Sequence, residues 1–258
     1  MKTLRDYLKR EPKIGYFTNF LNEKDGLENH HTKMSKYDFD ARIYVDGKYP
    51  GFNYKGVASN DGSLDIIKKI PNSILISPKT EIAEMDKNNL AFEKAGELGI
   101  DLLLQIDADE WVDFDRETLL ESFVDNFESV GTFQFMTRFT NHYSSPPRIV
   151  YQLPRLFFKP EFIRCEKIHW WFYAFGNRIT CDQTSFIEGA HIHHDDRVRS
   201  IERNKLMDEY QEENIEREKK IMHYENGEKR MIVETHKCSF DPKFMMGKKC
   251  IICRDGKN

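Results

Sequence analysis

The chain has no run of about 18 apolar residues, so no segment reads as a membrane span. It has no surplus of basic charge either: 39 Lys and Arg against 43 Asp and Glu leave a net charge of −4 and a pI near 6.2. A general electrostatic grip on nucleic acid needs positive excess, so nucleic acid is not an expected partner. Internal repeats and low-complexity tracts are missing. Cysteine is sparse, with five in 258 residues. An odd, small number argues against a disulfide framework and for free thiols in a reducing compartment. The opening Met1-Lys2-Thr3-Leu4-Arg5-Asp6 meets charge before any apolar core. The expectation is therefore a cytoplasmic chain without a secretory signal. What is present is a globular composition, 39% hydrophobic and 32% charged with 14 Gly and 9 Pro. At about 150 residues per domain, that length gives one large domain or a domain with an appendage, a size typical of an enzyme.

Periodicity divides the chain. In the first half, apolar runs predict strands at Ile14–Thr18, Ala41–Val45, Ser73–Ser77 and Ile100–Ile106. Helical patterns lie between them at Asn22–Tyr37, Leu64–Ile70 and Glu81–Leu98, the last closed by Gly99. Strands that alternate with helices imply a parallel, layered sheet. The second half is mixed: Thr132–Phe139, Ile149–Phe158 (interrupted by Pro154) and Ser185–His193 read as strands, and Ile163–Ala174 is aromatic-rich. Val198–Met222 is a charged helical pattern, and the tail from Glu225 has weak periodicity.

The most informative segment is Asp101-Leu-Leu-Leu-Gln-Ile-Asp107-Ala108-Asp109-Glu110-Trp111. A buried strand runs straight into carboxylates at i and i+2, which share one face if the extended backbone continues. Ligands of open parallel sheets bind beyond the carboxyl ends of the strands. Two hard oxygen donors there suit Mg²⁺ or Mn²⁺, and such an ion neutralises a diphosphate as it leaves. Asp-x-Asp also occurs at Asp38/Asp40 and Asp113/Asp115, but only the middle pair directly follows an apolar strand. The competing reading is a solvated loop whose aspartates cap a helix starting near Asp115.

Further segments fall in a recognisable order. Asn22-Glu23 follows the first strand. Ala41-Arg-Ile-Tyr-Val-Asp46-Gly47 and Ser59-Asn-Asp61-Gly-Ser-Leu-Asp65 come next, and Lys87-Asn88-Asn89 leads to the acidic segment. Pro154-Arg155-Leu156-Phe157 and Glu202-Arg203-Asn204 complete the series. Over residues 13–205 the chain resembles the inverting, metal-dependent glycosyltransferases of family 2, which have the GT-A fold. The resemblance implies that Glu23 and Asp46 contact the base or ribose of a nucleotide, that Asp61 belongs to the same turn, and that Lys87 contacts the diphosphate. It implies that Asp107 and Asp109 hold ribose and metal. A lysine is a point charge suited to phosphate. Two alternatives stay open: Glu23 as a first-turn helix carboxylate favoured by the dipole, and Asp61 as a turn and cap residue.

Gly189-Ala-His191-Ile-His193-His194-Asp-Asp196 ends a strand, and alternation puts His191 and His193 on one face and His194 on the other. By the resemblance, His191 or His193 completes the metal shell; zinc on the histidines alone is the competing reading. An inverting transfer also needs a general base. Glu166, His169 and Asp182 are the candidates, because Ile168-His169-Trp170 carries no Glu after the His. Trp170, Trp171, Phe172 and Tyr173 form either a sugar platform or ordinary core. Tyr143-Ser-Ser-Pro-Pro147 reads as a surface loop near the cleft. In the tail, His236, Cys238, Cys250 and Cys253 form a zinc-like set or simply packed thiols, and the basic end suits peripheral contact with an anionic membrane surface.

The expected architecture is a three-layer α/β sandwich of GT-A type with a mixed, mainly parallel sheet. Residues 1–205 form the transferase domain, with a nucleotide half at 13–110 and an acceptor half at 111–205; residues 206–258 form a helical, irregular extension. The expected reaction moves a sugar from a UDP, GDP or dTDP sugar to a hydroxyl of a glycan, lipid-linked or protein acceptor, with Mn²⁺ or Mg²⁺. A metal-dependent nucleotidyltransferase acting on sugar phosphates is the alternative, although no glycine follows the first strand to build a phosphate loop. A binding protein on a decayed transferase fold is a third reading.

Overall fold

The computed structural model describes residues 2–124, 133–141, 148–167, 171–174, 177–179, 185–195, 198 and 205. In chain order the elements are β1 (Lys2–Thr3), α1 (Leu4–Leu8), β2 (Ile14–Phe20), α2 (Lys24–Met34), β3 (Ala41–Asp46), α3 (Ser63–Ile67) and β4 (Ser73–Ile76). Then come α4 (Glu84–Glu97), β5 (Leu102–Gln105), β6 (Glu110–Phe114), α5 (Arg116–Glu121), β7 (Phe123–Val124), β8 (Phe133–Asn141) and β9 (Arg148–Phe158). A 3-10 turn at Pro160–Phe162 precedes β10 (Ile163–Lys167), β11 (Trp171–Ala174), β12 (Asn177–Arg178) and β13 (Ser185–His194). The chain divides into two units, Met1–Asn204 and Lys205–Asn258. In the second unit only Lys205 is described, so the helical extension, the Val198–Met222 helix beyond Val198 and the Cys/His set of the tail lie outside the described residues. Among the described residues no helix is long and apolar enough to cross a membrane.

Eight strands form the main sheet in the order β4-β3-β2-β5-β9-β8-β13-β6. The first four are mutually parallel, and β13 is parallel to β8. Antiparallel pairing of β9 with β5 and β8, and of β6 with β13, leaves only β9 and β6 running against the rest. This is the mixed, mainly parallel α/β sheet expected from the sequence.

Strand alternation sends successive residues to opposite faces, and both faces are dry. Tyr16, Phe20, Tyr44, Leu102 and Leu104 pack with Leu27 and Met34 of α2, Ile67 of α3 and Leu119 of α5. Phe17, Ile43, Val45 and Leu103 pack on the other side with Ala91, Phe92 and Ala95 of α4 and with Ile163, Cys165 and Phe172 of the small β10-β11-β12 sheet. Helices and the small sheet therefore form the outer two layers.

Three local features correct or sharpen the sequence reading. Ile163–Ala174 is split into two strands of a separate sheet. Pro154 does not end its strand: β9 runs on to Phe158, with register shifts against β8 at Phe135/Met136 and Thr137/Arg138 that accommodate a residue unable to donate. Glu110–Phe114 is a strand, and Asp115 behind it caps α5, accepting a hydrogen bond from Thr118 N at 3.1 Å. The last of these matches the helix start near Asp115.

Candidate active site at the carboxyl ends of the strands

Extended backbone stops at Gln105. Ile106 N still donates to Phe17 O at 3.0 Å, and then Asp107–Glu110 reverses the chain, with Glu110 N donating to Asp107 O at 3.0 Å. The Glu110 carboxylate closes the same turn from within, its Oε2 accepting Asp107 N–H at 2.8 Å. Asp107 and Asp109 therefore do not share the face of a strand. Asp109 is fully buried, whereas the Asp107 side chain is 38% exposed.

Two cations from distant elements meet this turn. The β5–β9 register pairs Leu104 with Leu156, which brings Arg155 to the end of β5. Arg155 Nη2 lies 3.1 Å from Glu110 Oε1 and 3.3 Å from Asp107 Oδ2. The β13–β6 register pairs His194 with Glu110. His194 Nδ1 lies 3.5 Å from both Asp109 Oδ2 and Glu110 Oε1, and Asp195 N donates to Asp109 O at 3.0 Å.

Burial raises the Glu110 carboxyl, assisted by the Asp107 and Asp109 charges and opposed by Arg155. For His194, burial works downward, but the adjacent Glu110 carboxylate and the charges of Asp109 and Asp107 outweigh it and lift the imidazole to about 9. Arg155, also opposed by burial, is held more firmly protonated by Glu110, Asp107 and Asp109. Three carboxylates in one turn thus form a cation-seeking site, as buried charge requires nearby countercharge.

The remaining expected residues are placed as follows. The Asp46 carboxylate is buried and accepts Ser59 N–H at 3.0 and 3.2 Å, the Ser59 hydroxyl at 2.7 Å and the Ser77 hydroxyl at 3.1 Å. Asp61 accepts Lys24 N–H and Ser63 N–H, both at 3.0 Å, and the Ser63 hydroxyl. Glu23 is buried at the start of α2, where its backbone N–H donates to Ser63 Oγ at 3.0 Å. Lys87 is fully buried: its Nζ donates to Phe20 O at 3.0 Å and to Gly47 O, 4.3 Å from the Tyr49 ring centroid. Lys87 thus ties together the carboxyl ends of β2 and β3.

His191 and His193 lie against Trp111 and Asp113 of β6. Their rings stack at 4.4 Å, His193 stacks on Trp111 at 5.3 Å, and His193 Nε2 lies 2.9 Å from Asp113 Oδ2. Glu166 is exposed at a bulge of β10, where the register against β11 shifts between Cys165 and Lys167. Phe172 belongs to the core, Tyr173 is half-buried and β11 contains Trp171. His169, Trp170, Asp182, the 143–147 loop and Glu202-Arg203-Asn204 lie outside the described residues.

Sequence reasoning gave no role to His194, Glu110 or Arg155, although a signal for His194 was available. Ala190 and Ile192 are buried, so the third position of that alternation is the one facing inward.

Among the described residues, no group of three or more His, Cys, Asp or Glu side chains is arranged to hold a metal ion. Asp109 and His194 offer two donors 3.5 Å apart at their nearest, a carboxylate oxygen and an imidazole nitrogen. Two protein donors suffice for Mg²⁺ or Mn²⁺ when phosphate oxygens and water fill the other positions, so the donor set would fit such an ion once it displaces the proton that the acidic turn keeps on His194.

No family model matches the sequence, and no curated protein matches it. Among solved structures the chain is similar to the mannosyltransferase PcManGT from Pyrobaculum calidifontis in complex with GDP-Man and Mn²⁺. The identity is 18% and the TM-score 0.35, over 52% of this chain and 41% of that one. It is also similar to S. aureus TarS 1-349 in complex with UDP-GlcNAc, at 15% identity and a TM-score of 0.42, over 58% of this chain and 46% of that one. The chain thus spans less than half of the length of either structure.

Proposed function

We propose that the protein is a glycosyltransferase that moves a sugar from a nucleotide-diphosphate sugar to an acceptor hydroxyl, with inversion and with a divalent cation. The observation that carries this reading is the buried Asp109 facing His194 at the carboxyl end of β5. Asp109 and His194 would hold Mn²⁺ or Mg²⁺. When bound, the ion would neutralise charge on the departing diphosphate.

The chain's own residues account for the rest. Arg155 bridges Glu110 and Asp107 and keeps the acidic turn closed, which pre-organises the site before a donor arrives. Asp107, more exposed than Asp109, faces the donor and contacts its ribose. In the transfer, the anomeric carbon–phosphate oxygen bond breaks and the nucleoside diphosphate leaves with the bonding pair. The acceptor oxygen forms the new bond from the opposite side, and its proton passes to a general base. Glu166, on its bulge, is the described candidate for that base; His169 and Asp182 are the others. The donor is of UDP, GDP or dTDP type and the acceptor a glycan, a lipid-linked sugar or a protein.

The test is donor turnover by the full chain with a panel of nucleotide sugars, with Mn²⁺ or with EDTA. Asp109→Asn and His194→Ala are each expected to lower kcat by about 10²–10³, the usual loss when a preorganised electrostatic group is removed. Full activity in Asp109→Asn would reject the reading. Stabilisation by nucleoside triphosphates, and not by nucleotide sugars, in a thermal-shift assay would favour nucleotidyl transfer instead.

A further inference from the structure

We infer that helix α2 is the positioning element of the acidic turn and that His30 is the residue through which it acts. The inference deepens the transfer reading above and rests on it.

Strand β6 stands at the end of the main sheet, paired only with β13 among the described residues. Residues 110, 112 and 114 therefore direct backbone groups outward, where the described residues supply no ladder partner. One row of side chains supplies the partners. His30 Nδ1 lies 2.7 Å from Glu110 O, Met34 Sδ accepts Val112 N–H at 3.4 Å, and the Tyr37 hydroxyl accepts Phe114 N–H at 3.1 Å. Positions 30, 34 and 37 follow helical spacing, so one face of α2 and the residues just after it runs along the strand. One turn earlier, a Cβ on Gly26 would lie 3.0 Å from Ala108 O, so the helix rests directly on the turn.

Of the three partners only His30 reaches the turn itself. Its acceptor is a carbonyl, so Nδ1 carries the proton and Nε2 the lone pair, and Nε2 has no hydrogen-bond partner among the described residues. A fully buried ring with an unmet nitrogen is a liability for stability. Its surroundings, edge-on to Tyr16 at 5.3 Å and Tyr44 at 6.4 Å, would suit a phenylalanine. The hydrogen bond from Nδ1 is therefore what the imidazole contributes. By fixing the Glu110 peptide, it fixes the residue that pairs with Arg155 and with His194, and so the distance between Asp109 and His194. His30 touches no reacting atom and is a positioning residue.

The experiment compares the full chain with His30→Phe, which keeps the ring and removes the donor, and His30→Asn, which restores a donor near Nδ1. Amide hydrogen exchange is read over residues 107–114, together with the thermal midpoint and the kcat and KM of donor turnover. In His30→Phe, exchange in that segment should rise about tenfold, the factor that one lost hydrogen bond supplies. The midpoint should shift little, because the orphaned Glu110 carbonyl offsets the relief of the unmet Nε2. The kcat should fall by a similar factor, and His30→Asn should recover both exchange and kcat. Unaltered exchange in 107–114 overturns the proposal. So does faster exchange throughout with a lowered midpoint, or local loosening with kcat intact. If the wild type turns over no nucleotide sugar, the transfer reading fails, while the exchange arm still decides whether His30 holds the turn.

Discussion

Two polar regions occupy the carboxyl edge of the same sheet, and they are built in opposite ways. Around the carboxyl ends of β2 and β3, Asp46 and Asp61 turn their carboxylates onto backbone N–H groups and serine hydroxyls, and Lys87 of α4 turns its ammonium onto carbonyls. In the turn after β5, Asp107, Asp109 and Glu110 face charged side chains from β9 and β13. We read the first region as a brace, with charge dispersed over neutral dipoles. The second concentrates charge and balances it with Arg155 and His194. An aspartate after a strand is thus either scaffold or site, and the polarity of its partners separates the two.

The largest test of this contrast removes one carboxylate from each region. Asp109→Asn should abolish most donor turnover while leaving the midpoint of unfolding close to wild type. Asp46→Ala should do the reverse. It leaves the buried Ser59 N–H and hydroxyl without their acceptor, and each unmet buried group costs about 1–3 kcal/mol. A loss of several kcal/mol in denaturant unfolding is the expected result. If Asp46→Ala folds as well as wild type and loses only donor affinity, the brace reading is wrong and Asp46 belongs with the nucleotide ligands.

Next in size is a pH effect on stability. Burial holds His30 down to about 4, against an ordinary value near 6.5. As pH falls through 6.5 the unfolded chain takes up the proton and the folded chain does not. The stability present above that pH is therefore lost progressively down to about 4. A difference of about 2.5 units corresponds to about 3 kcal/mol. His30→Phe has nothing to protonate there, so its stability between pH 6.5 and 4.5 should be flatter by about 2 kcal/mol, the share of that loss that falls inside the window. Parallel profiles for the two proteins would assign the acid sensitivity to another group.

The same contrast explains what was legible in the sequence. Strands β2, β3, β4 and β5 and helix α4 follow from apolar periodicity, because a parallel sheet covered on both faces writes continuous hydrophobic runs. Strand β6 does not: Trp111-Val-Asp-Phe114 is a short run interrupted by Asp113, directly behind a cluster of aspartates. Its pairing partner lies some 80 residues away, at β13. The choice among three adjacent histidines depends on that same pairing, with the face set by Ala190 and Ile192. For Asp46, Asp61 and Lys87, residue type and order suit a nucleotide site and a brace equally well. The donors and acceptors that favour a brace come from Ser59, Ser63, Ser77 and Gly47, brought in by the fold.

The smallest expected effect is also the cleanest comparison within one residue type. Asp61 is exposed and joins two loops, capping Ser63 N–H in its own turn and Lys24 N–H at the start of α2. Replacing a capping aspartate with alanine costs about 1 kcal/mol, since water replaces part of what is lost. Asp61→Ala should therefore lower stability by that modest amount, with kcat unchanged. Asp107→Ala, also solvent-accessible, should lower donor turnover with little change in stability, because its side chain meets Arg155 rather than a backbone it must hold. Measuring both variants in the same two assays sets two accessible aspartates against each other. A drop in kcat for Asp61→Ala matching that of Asp107→Ala would merge the two regions into one site and remove the distinction on which the comparison stands.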